Sequence, residues 1–410
     1  MSKLEELIQE LCPDGVETFP LEECCNILDK KRKPVTKNSR EKGEYPYYGA
    51  NGVQDYVSDY IFNGKFVLVG EDGSVITKSG TPVVTWAEGK IWVNNHAHVI
   101  EEKSGTMLRY LYFYIQTIDV TSLIHGNIPK LTGRDFRSLK IALPPLEIQR
   151  EIVSILDNFT ELTAELTAEL TARKTQYTYY RDKLLANSYK GEIKQLEECC
   201  DSIADGDHQA PPKADSGVPF ITISDIDERH EINLNVTKYV PDEYYNRLAD
   251  KRRPQKGDVL YTVVGSYGIP VYISENKRFV FQRHIAILRP NNAVIDSRYL
   301  YHAMNGTAFH RQADLAAKGA AQKTIGLASL AKMTVPVPPL DVQNRIVNVL
   351  DNFEKICSDL NIGLPAEIEA RQKQYEYYRD KLLTFAETGN TILNGTERNG
   401  TERNGTERNG

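Results

Sequence analysis

The segment Pro144-Pro145-Leu146-Glu147-Ile148-Gln149 returns about 200 residues later as Pro338-Pro339-Leu340-Asp341-Val342-Gln343. Each copy continues into an Ile-Val pair and then a Leu-Asp-Asn-Phe run. A second repeat follows, because Gln176 to Leu185 matches Gln374 to Leu383 at all positions but one. Such a period is far longer than a solenoid unit. The chain is therefore predicted to contain two copies of one module, a domain followed by a long helix.

After each Pro-Pro pair the apolar residues recur every three or four positions, which is typical of an amphipathic helix. From Ile148 the pattern predicts a helix of about 40 residues, roughly 60 Å long. The second helix, from Asp341, meets Gly363 and Pro365, which we expect to break or bend it. Thr-Ala-Glu-Leu units at 163–170 keep their leucines on one stripe, because four residues add just over one turn. These units are predicted to form a helical spacer, and a further hypothesis is that their number sets the distance between the two domains.

The segments between the repeats, 26–140 and 201–334, share only scattered patterns. Both contain short runs rich in Val, Ile, Tyr and Phe, and Asn51-Gly52, Asn63-Gly64 and Asp72-Gly73 are turn signals, so we predict β-rich domains. Strands of the second domain are predicted at 218–224, 259–264, 270–274 and 279–288. A shared scaffold with different surfaces suggests that the repeated parts bind one partner twice, whereas the divergent parts bind two different targets.

The overall composition limits the possible classes of function. The 410 residues carry a formal net charge of −6, so any nucleic-acid binding must come from local basic patches. No apolar run approaches about 18 residues and the N-terminus lacks an apolar core, so neither a membrane span nor an export signal is predicted. The six cysteines show no Cys-x-x-Cys spacing, which favours free thiols and a cytoplasmic location.

The search for catalytic motifs favours a protein without a catalytic site. The chain has neither a Gly-x-Gly-x-x-Gly pattern nor a P-loop. Its Pro-Pro pairs follow Leu143, Ala210 and Val337, whereas amino-methyltransferase active sites require Asn or Asp at that position. His96 and His98 share one face of a predicted strand and could bind a metal. Because no third ligand is predictable, a packing or hydrogen-bonding role is preferred.

These motifs together resemble the specificity (S) subunits of type I restriction-modification systems, along nearly the whole chain. The resemblance rests on the duplicated Pro-Pro-Leu-x-x-Gln helices, the Tyr-Tyr-Arg-Asp-Lys-Leu-Leu ends, the segments 47–52 and 257–260, and the Thr-Ala-Glu-Leu spacer of one branch of the family. It implies an α+β fold with a pseudo-two-fold internal repeat. Two β-rich target recognition domains would be separated by two long helices packed as an antiparallel coiled coil.

The resulting division of the chain has five parts. We expect a first recognition domain with an N-terminal segment, a central helix with the spacer repeat, a second recognition domain, a C-terminal helical region and a tail. The tail repeats Asn-Gly-Thr-Glu-Arg and is predicted to be disordered, since it has almost no apolar residues to bury. The respective ranges are 1–142, 143–190, 191–335, 336–388 and 389–410.

The resemblance also implies a function. Each recognition domain would read one half of a split, asymmetric site in double-stranded DNA, while the helices set the spacing and dock two modification subunits. S-adenosylmethionine would belong to those adenine methyltransferase subunits, and ATP and Mg²⁺ to restriction subunits that translocate and cleave DNA. This chain itself is expected to have no catalytic site, cofactor, metal or membrane contact. A coiled-coil scaffold for proteins alone remains an alternative, and a self-contained DNA-modifying enzyme is a less favoured one.

Candidate contacts follow from the chemistry of recognition, because base edges and phosphates are bound by polar and cationic side chains in loops. In the first domain we predict DNA contacts at Lys30, Lys31, Arg32, Lys33, Tyr48, Asn51, Gln54, Asn127 and Lys130. In the second domain we predict them at Lys251, Arg252, Arg253, Ser266, Tyr267, Lys318, Gln322 and Lys323. Contacts with the modification subunits are predicted at Gln149, Tyr177, Tyr180, Arg181, Gln343, Tyr375, Tyr378 and Arg379. A solvated loop is the competing interpretation for the basic runs, and a place in the core for each tyrosine.

Overall fold

The chain divides into two compact units in the computed structural model, which describes residues 3–187, 192–206, 211–227, 229–320, 322–358 and 363–388. Among the described residues, the first unit contains 3–164 and 370–388, and the second contains those between 165 and 369. One boundary falls within the Thr-Ala-Glu-Leu repeats. Each unit therefore combines one β-rich domain with parts of both helical segments. The predicted disordered tail, 389–410, lies outside the described residues.

The first β-rich domain is built around one mixed sheet. Its elements are α1 (Lys3–Leu11), β1 (Thr18–Pro20), α2 (Leu21–Cys24), β2 (Asn26–Ile27), β3 (Lys42–Gly49), β4 (Gly52–Val57), β5 (Phe62–Gly70), β6 (Val84–Val93), β7 (Ala97–Glu101), α3 (Leu108–Ile115), β8 (Ile124–His125), β9 (Lys130–Leu131), α4 (Gly133–Arg137) and β10 (Lys140–Ala142). Six strands lie in the order β2-β7-β5-β6-β3-β4, with only β3 and β6 parallel. Two small sheets pair β1 with β10 and β8 with β9.

Strand β5 separates two hydrophobic cores in this domain. Val67 and Val69 belong to the cluster that contains α3 and the start of the long helix. Phe66 and Leu68 belong to a second cluster with β6 and β7. Successive side chains of a strand point to opposite faces, so an unbroken apolar run fills both cores, as a strand buried on both faces requires.

The first long helix, α5, spans Leu146–Asn187, which confirms the predicted length of about 40 residues. The predicted helix continues through the Thr-Ala-Glu-Leu units, where the leucines are half-buried and the glutamates are exposed. The Thr163 hydroxyl donates to the Phe159 carbonyl at 2.8 Å, and the Thr171 hydroxyl to the Thr167 carbonyl at 3.0 Å. These threonines satisfy their hydroxyls on the helix itself, so they recur without interrupting it.

The second β-rich domain repeats part of the first scaffold. Its elements, with the helices that follow, are β11 (Glu192–Gln195), α6 (Leu196–Cys199), β12 (Cys200–Asp205), β13 (Val218–Ile221), β14 (Tyr239–Val240), α7 (Asp242–Arg247), β15 (Val259–Thr262), β16 (Pro270–Tyr272), β17 (Val280–Phe281), β18 (Ile285–Pro290), α8 (Ser297–Met304), α9 (Thr307–Ala316), α10 (Leu327–Ala331), β19 (Thr334–Val337), α11 (Leu340–Ser358) and α12 (Leu364–Thr388). One sheet has the order β12-β18-β15-β16, another β14-β13-β17, and β11 pairs with β19. The triplet β12-β18-β15 corresponds to β2-β7-β5, and β11-β19 to β1-β10.

The second helical segment is interrupted where the sequence predicts. Helix α11 ends at Ser358 and α12 begins at Leu364, and residues 359–362 lie outside the described part of the chain. Pro365 falls in the first turn of α12, where a backbone N–H has no intrahelical acceptor and its loss breaks no helical hydrogen bond. In the part of the chain that the structure describes, no helix combines the length and apolar character needed to cross a membrane.

The helices pack in antiparallel fashion within each unit. In the first unit, Phe159 of α5 stacks on Tyr378 of α12 at 5.4 Å between ring centroids, and α5 residues closer to its start share a core with Leu382 and Leu383. In the second unit, Tyr180 of α5 stacks on Phe353 of α11 at 5.9 Å. The predicted fold class, an α+β repeat with antiparallel long helices, is confirmed.

Some local predictions are wrong. The predicted turn at Asn63-Gly64 lies inside β5, where Gly64 faces Gly89 of β6. The predicted strand 279–288 divides into β17 and β18. The sequence also missed α3, because six of its eight residues are buried and such a short apolar run carries no helical period to distinguish it from a strand.

The twin glutamines of the repeated motif join each long helix to its domain. The Oε1 atom of Gln149 accepts the Met107 N–H at 2.8 Å, and its Nε2 donates to the carbonyls of Pro144 (2.8 Å) and Gly105 (3.1 Å). Both Gln149 and Gln343 are fully buried. The prediction that they contact a partner is therefore corrected, because these side chains use their polar groups inside the unit.

Gln343 repeats the arrangement in the second unit. Its Oε1 accepts the Asp296 N–H at 2.7 Å, and its Nε2 donates to the carbonyls of Pro338 (2.7 Å) and Val294 (3.2 Å). Each glutamine thus ties the proline pair before its helix to the loop that precedes α3 or α8. We name this arrangement the glutamine lock.

Truncating either lock should destabilise its unit. Gln149→Ala or Gln343→Ala leaves one N–H and two carbonyls without their partner in a buried site, which should cost about 1–3 kcal/mol of unfolding free energy. Urea unfolding of each variant measures this loss. Gln372→Ala, at an exposed position of α12, is the control and should change stability little. An equal loss of unfolding free energy in the buried and the exposed variants would contradict a stabilising role of the glutamine lock.

Candidate nucleic-acid interface

In the first domain, the loop 125–131 is fixed to the end of the central strand β5. The Gly73 N–H donates to the Pro129 carbonyl at 3.0 Å, and the Leu131 N–H donates to the Glu71 carbonyl at 2.9 Å. Gly126 adopts a left-handed φ of +89° at the tip of the loop, a conformation that glycine accommodates at little cost. The loop therefore presents Asn127, which is exposed, at the end of the sheet.

A buried histidine connects this loop to the basic segment 29–33. His98 is 0% exposed, and its Nδ1 lies 2.7 Å from Asp29 Oδ2 while its Nε2 lies 3.2 Å from the Leu131 carbonyl. The ring stacks on Phe136 at 4.1 Å. The preferred interpretation of His98, a packing and hydrogen-bonding role, is confirmed. By contrast, His96 is exposed and hydrogen-bonds Asp72.

Asp29, Glu71 and His98 bring three possible metal-ligating atoms within 4.8 Å of one another. Arg32 already supplies positive charge there, because its Nη1 lies 2.6 Å from Glu71 Oε2 and its Nη2 lies 3.6 Å from Asp29 Oδ2. Lys130 Nζ adds a second cation at 3.2 Å from Glu71 Oε1. The arrangement is a compensated ion-pair network, which positions the two loops relative to each other.

The predicted DNA contacts of the first domain divide by exposure. Arg32 also donates to the Ala97 carbonyl at 2.6 Å, and Tyr48 is 9% exposed. Both side chains are therefore built into the domain, and the prediction that they contact DNA is corrected. Lys130 is half-buried in the ion-pair network. The remaining predicted residues are exposed, namely Lys30, Lys31, Lys33, Asn51, Gln54 and Asn127.

The second domain fixes an equivalent loop to the end of β15. The Ile325 N–H donates to the Val263 carbonyl at 2.8 Å, and the Gly265 N–H donates to the Lys323 carbonyl at 2.9 Å. The predicted correspondence between 318–323 and 125–130 is therefore confirmed. Loop 318–323 lies beside the turn that contains Ser266, which is exposed together with Lys318, Gln322 and Lys323. Tyr267 is half-buried, and its hydroxyl donates to Asp314 at 2.9 Å.

The basic cluster 251–253 lies along the edge strand β12. Arg252 pairs with Asp205 at 3.6 Å, and Arg253 pairs with Asp250 at 3.6 Å. Lys251 is exposed, whereas Arg252 and Arg253 are half-buried. Two of the three predicted cations are thus partly neutralised by neighbouring carboxylates, which weakens their contribution to a phosphate-binding patch.

The predicted partner contacts in the repeated Tyr-x-Tyr-Tyr-Arg segments face inward more than expected. Burial raises the pKa of Tyr177 well above its ordinary value, and burial raises that of Tyr375 to about 12. Tyr180 and Tyr378 stack on phenylalanines of the neighbouring helix, although Tyr180 remains 39% exposed. Arg181 is 7% exposed. Arg379 donates to the adjacent Asp380 at 2.7 Å.

The sequence prediction missed the tyrosine between them in each copy. Tyr179 is 58% exposed and Tyr377 is 53% exposed. A lysine one turn later lies over each ring, Lys183 at 5.5 Å and Lys381 at 4.4 Å from the centroid. Helical spacing could have found them, because residues i and i+3 share a face whereas i+2 faces away. We call Tyr179 and Tyr377 the exposed tyrosine pair.

The Asp29 network should make the stability of the first domain depend on pH. Burial alone would raise the pKa of Asp29, but the hydrogen bonds from His98 and the Val99 N–H, with the charge of Arg32, lower it below its ordinary value. A lowered folded-state pKa means that the contribution is present above the unfolded pKa of about 3.9 and is lost as pH falls through the folded value.

Asp29→Asn should therefore lower the unfolding free energy by about 1–3 kcal/mol at pH 7, and the difference from the unchanged protein should shrink as pH falls below about 4. Urea unfolding across that range measures both. Asp14→Asn, at an exposed position, is the matched control. A deficit that stays constant down to pH 3 would rule out the ionised network as its source.

Comparisons with known proteins identify the family. The model of the type I restriction modification DNA specificity domain matches residues 13–173 and again 190–370. The chain is 35% identical over 399 residues to a Haemophilus influenzae protein named as a type I restriction enzyme specificity subunit, which covers 93% of this chain and 98% of that protein. It is 34% identical over 311 residues to a type I restriction enzyme specificity subunit of Escherichia coli, covering 69% and 72%.

Two solved structures share the fold. An S subunit of a type I restriction-modification system from M. genitalium superposes with a TM-score of 0.53 at 14% identity, covering 90% of this chain and 97% of that one. A chain from a structure on assembly and conformational transition of the type I system gives 0.56 at 18% identity, covering 90% and 98%. From the two domain matches and the full-length relative, we conclude that this chain belongs to the type I restriction-modification specificity subunits.

Proposed function

We propose that this DNA-recognition subunit reads a split, asymmetric site in double-stranded DNA, one half with each β-rich domain. The observation that carries the proposal is the pair of equivalent loops, 125–131 and 318–325, each fixed by backbone hydrogen bonds to the end of its central strand. The scaffold is shared, but the side chains differ. Each loop can therefore present its own hydrogen-bonding pattern to base edges.

The exposed residue types fit this role. Asn and Gln side chains pair with adenine in the major groove, and Lys pairs with guanine. Asn127 in the first loop and Gln322 with Lys323 in the second offer these groups. Lys30, Lys31 and Lys33 are suited to phosphate contacts, which position a protein on the duplex. A local cationic patch is required because the chain as a whole is acidic.

Exchange of one domain tests whether each β-rich domain recognises its own half-site. Replacing residues 26–140 with the equivalent segment of another family member should change one half-site and leave the other unchanged, because each domain folds around its own core. Genome-wide mapping of methylated bases, in cells with the partner subunits, reads out both halves. Replacement of 201–334 is the reciprocal control.

Two results would reject the proposal. A change in both halves with a folded chimera would contradict two separate reading modules. Absence of sequence-selective DNA binding by the unchanged complex would favour a scaffold that binds only proteins.

We also propose that the long helices set the spacing between the half-sites and dock two modification subunits. The repeated segments 176–185 and 374–383 support this, because nearly identical surfaces in the two units suit two copies of one partner. The exposed tyrosine pair provides an aromatic anchor in each segment, and tyrosine is enriched among residues that dominate binding energy.

In this proposal the chain supplies specificity and no catalysis. The modification subunits would bind S-adenosylmethionine and methylate adenine. Restriction subunits would use ATP and Mg²⁺ to translocate and cleave DNA.

Loss of one exposed tyrosine should remove one docking site. Tyr179→Ala and Tyr377→Ala should each lower the affinity for one of the two modification subunits by about 30-fold or more. This is the loss expected for a residue that contributes about 2 kcal/mol of binding free energy. Native mass spectrometry near the dissociation constant should then show complexes with one copy. The double variant should show little complex of either kind. Tyr56→Ala, at a 55% exposed tyrosine of β4, should leave two copies bound, and two copies on the double variant would exclude the pair as the docking site.

A further inference from the structure

An arginine attaches the domain to its long helix in both units, outside the residues assigned so far. In the first unit, Arg109 of α3 donates through Nε to Asp157 Oδ1 of α5 at 2.7 Å. Its guanidinium lies 4.6 Å from the Tyr112 ring, 4.7 Å from Phe113 and 5.0 Å from Trp86. The side chain is therefore held by an ion pair and by aromatic rings at once.

The second unit repeats this contact with different neighbours. Arg298 of α8 donates through Nε to Asp351 Oδ1 of α11 at 2.8 Å and pairs with Glu354. Its guanidinium lies 4.5 Å from the Tyr301 ring and 5.1 Å from Tyr272. Because the arginine occupies these carboxylates, the nearby cluster of His302, Asp351 and Glu354 is an ion-pair site. We call the Arg109–Asp157 and Arg298–Asp351 contacts the arginine joints.

Each joint is a second attachment point beyond the glutamine lock. Gln149 and Asp157 lie eight residues apart on α5, as Gln343 and Asp351 do on α11, which corresponds to about 12 Å along a helix. Two directional contacts at separate heights fix the direction of a helix relative to its domain, whereas one leaves it able to pivot. The apolar residues between them stabilise the contact, but the hydrophobic effect is non-directional and does not by itself fix the direction of the helix. In the second unit Arg298 shares the upper contact with two neighbours on α8, because His302 Nε2 lies 2.7 Å from Asp351 Oδ1 and the Tyr301 hydroxyl donates to Glu354 at 2.8 Å.

We infer that Arg109 and Arg298 are positioning residues that fix the spacing between the two half-sites, although neither belongs to the candidate DNA-contact loops. This inference rests on the proposed function, in which each domain reads one half-site. A domain that pivots on its helix reaches the DNA over a range of positions. Its base contacts stay intact because its loops are fixed to its own sheet.

The test compares spacer lengths among methylated sites in cells that carry each variant with the partner subunits. Arg109→Met and Arg298→Met each keep an unbranched apolar stem but lose the ion pair. Arg109→Met should raise methylation at sites with a spacer one base pair longer or shorter by about fivefold or more, a typical size for coupling between sites. Arg298→Met should raise it less, because His302 and Tyr301 still bond Asp351 and Glu354. Both half-site sequences should stay unchanged. Arg345→Met, which breaks an exposed ion pair with Asp341 on the same α11, should leave the spacer fixed.

A purely structural role gives a different result. Loss of stability alone would lower methylation at the normal spacer without widening the distribution, and that outcome would overturn the inference. Arg109→Lys and Arg298→Lys cover the case in which the methionine variants fail to fold. They keep the charge but lose the planar fork, so they should widen the spacer less, and a fixed spacer in these folded variants would also overturn it. If the unchanged protein shows no split site with a defined spacer, the proposed function itself fails.

Discussion

The buried amides of Gln149 and Gln343 each make two hydrogen bonds to the loop before a domain helix and a third to the proline pair before their own helix. Because both side chains are fully buried, breaking these bonds would leave buried polar groups without partners, so the bonds fix the start of the helix relative to its domain. The later contacts between the helix and its domain depend on where the helix begins. Two turns later the arginine joint meets the same helix, and beyond it the aromatic residues of the neighbouring helix complete the packing.

The two domains show how one scaffold accommodates different surfaces. In the first, His98 lies inside the β5-β7 ladder and connects the basic segment to loop 125–131. In the second, the equivalent position of the β15-β18 ladder is Ala286, which cannot make such a connection. The backbone hydrogen bonds that hold the loops are nevertheless alike. Side chains at and beneath the loops can therefore vary while the attachment to the helices stays constant.

Periodicity predicted the elements whose environment repeats along the chain. The long helix was found because its apolar residues recur at fixed spacing. The interruption near Pro365 was found from helix-breaking residues, and most strands from short runs rich in β-branched and aromatic residues between turn signals. Helix α3 was missed because it is buried on nearly all sides. Asn63-Gly64 was mistaken for a turn because a dipeptide signal cannot show that Gly64 faces Gly89 across a sheet. The inward rotation of Tyr177 and the exposure of Tyr179 follow from helix geometry, but only the packing shows which face is covered.

The amino-acid sequence by itself determined the duplication, the fold class, the family and the positions of the divergent loops, because repeats and periodic patterns are visible in the order of the residues without knowledge of their contacts. The tertiary structure alone decided which polar residues point outward. Arg32 and Gln149 read as binding residues until burial and partners distant in sequence showed that their charges and amides are used inside the protein. The arginine joints depend on residues 48 and 53 positions apart. Hydrogen bonds over such separations are set by how elements pack, and no local pattern encodes them.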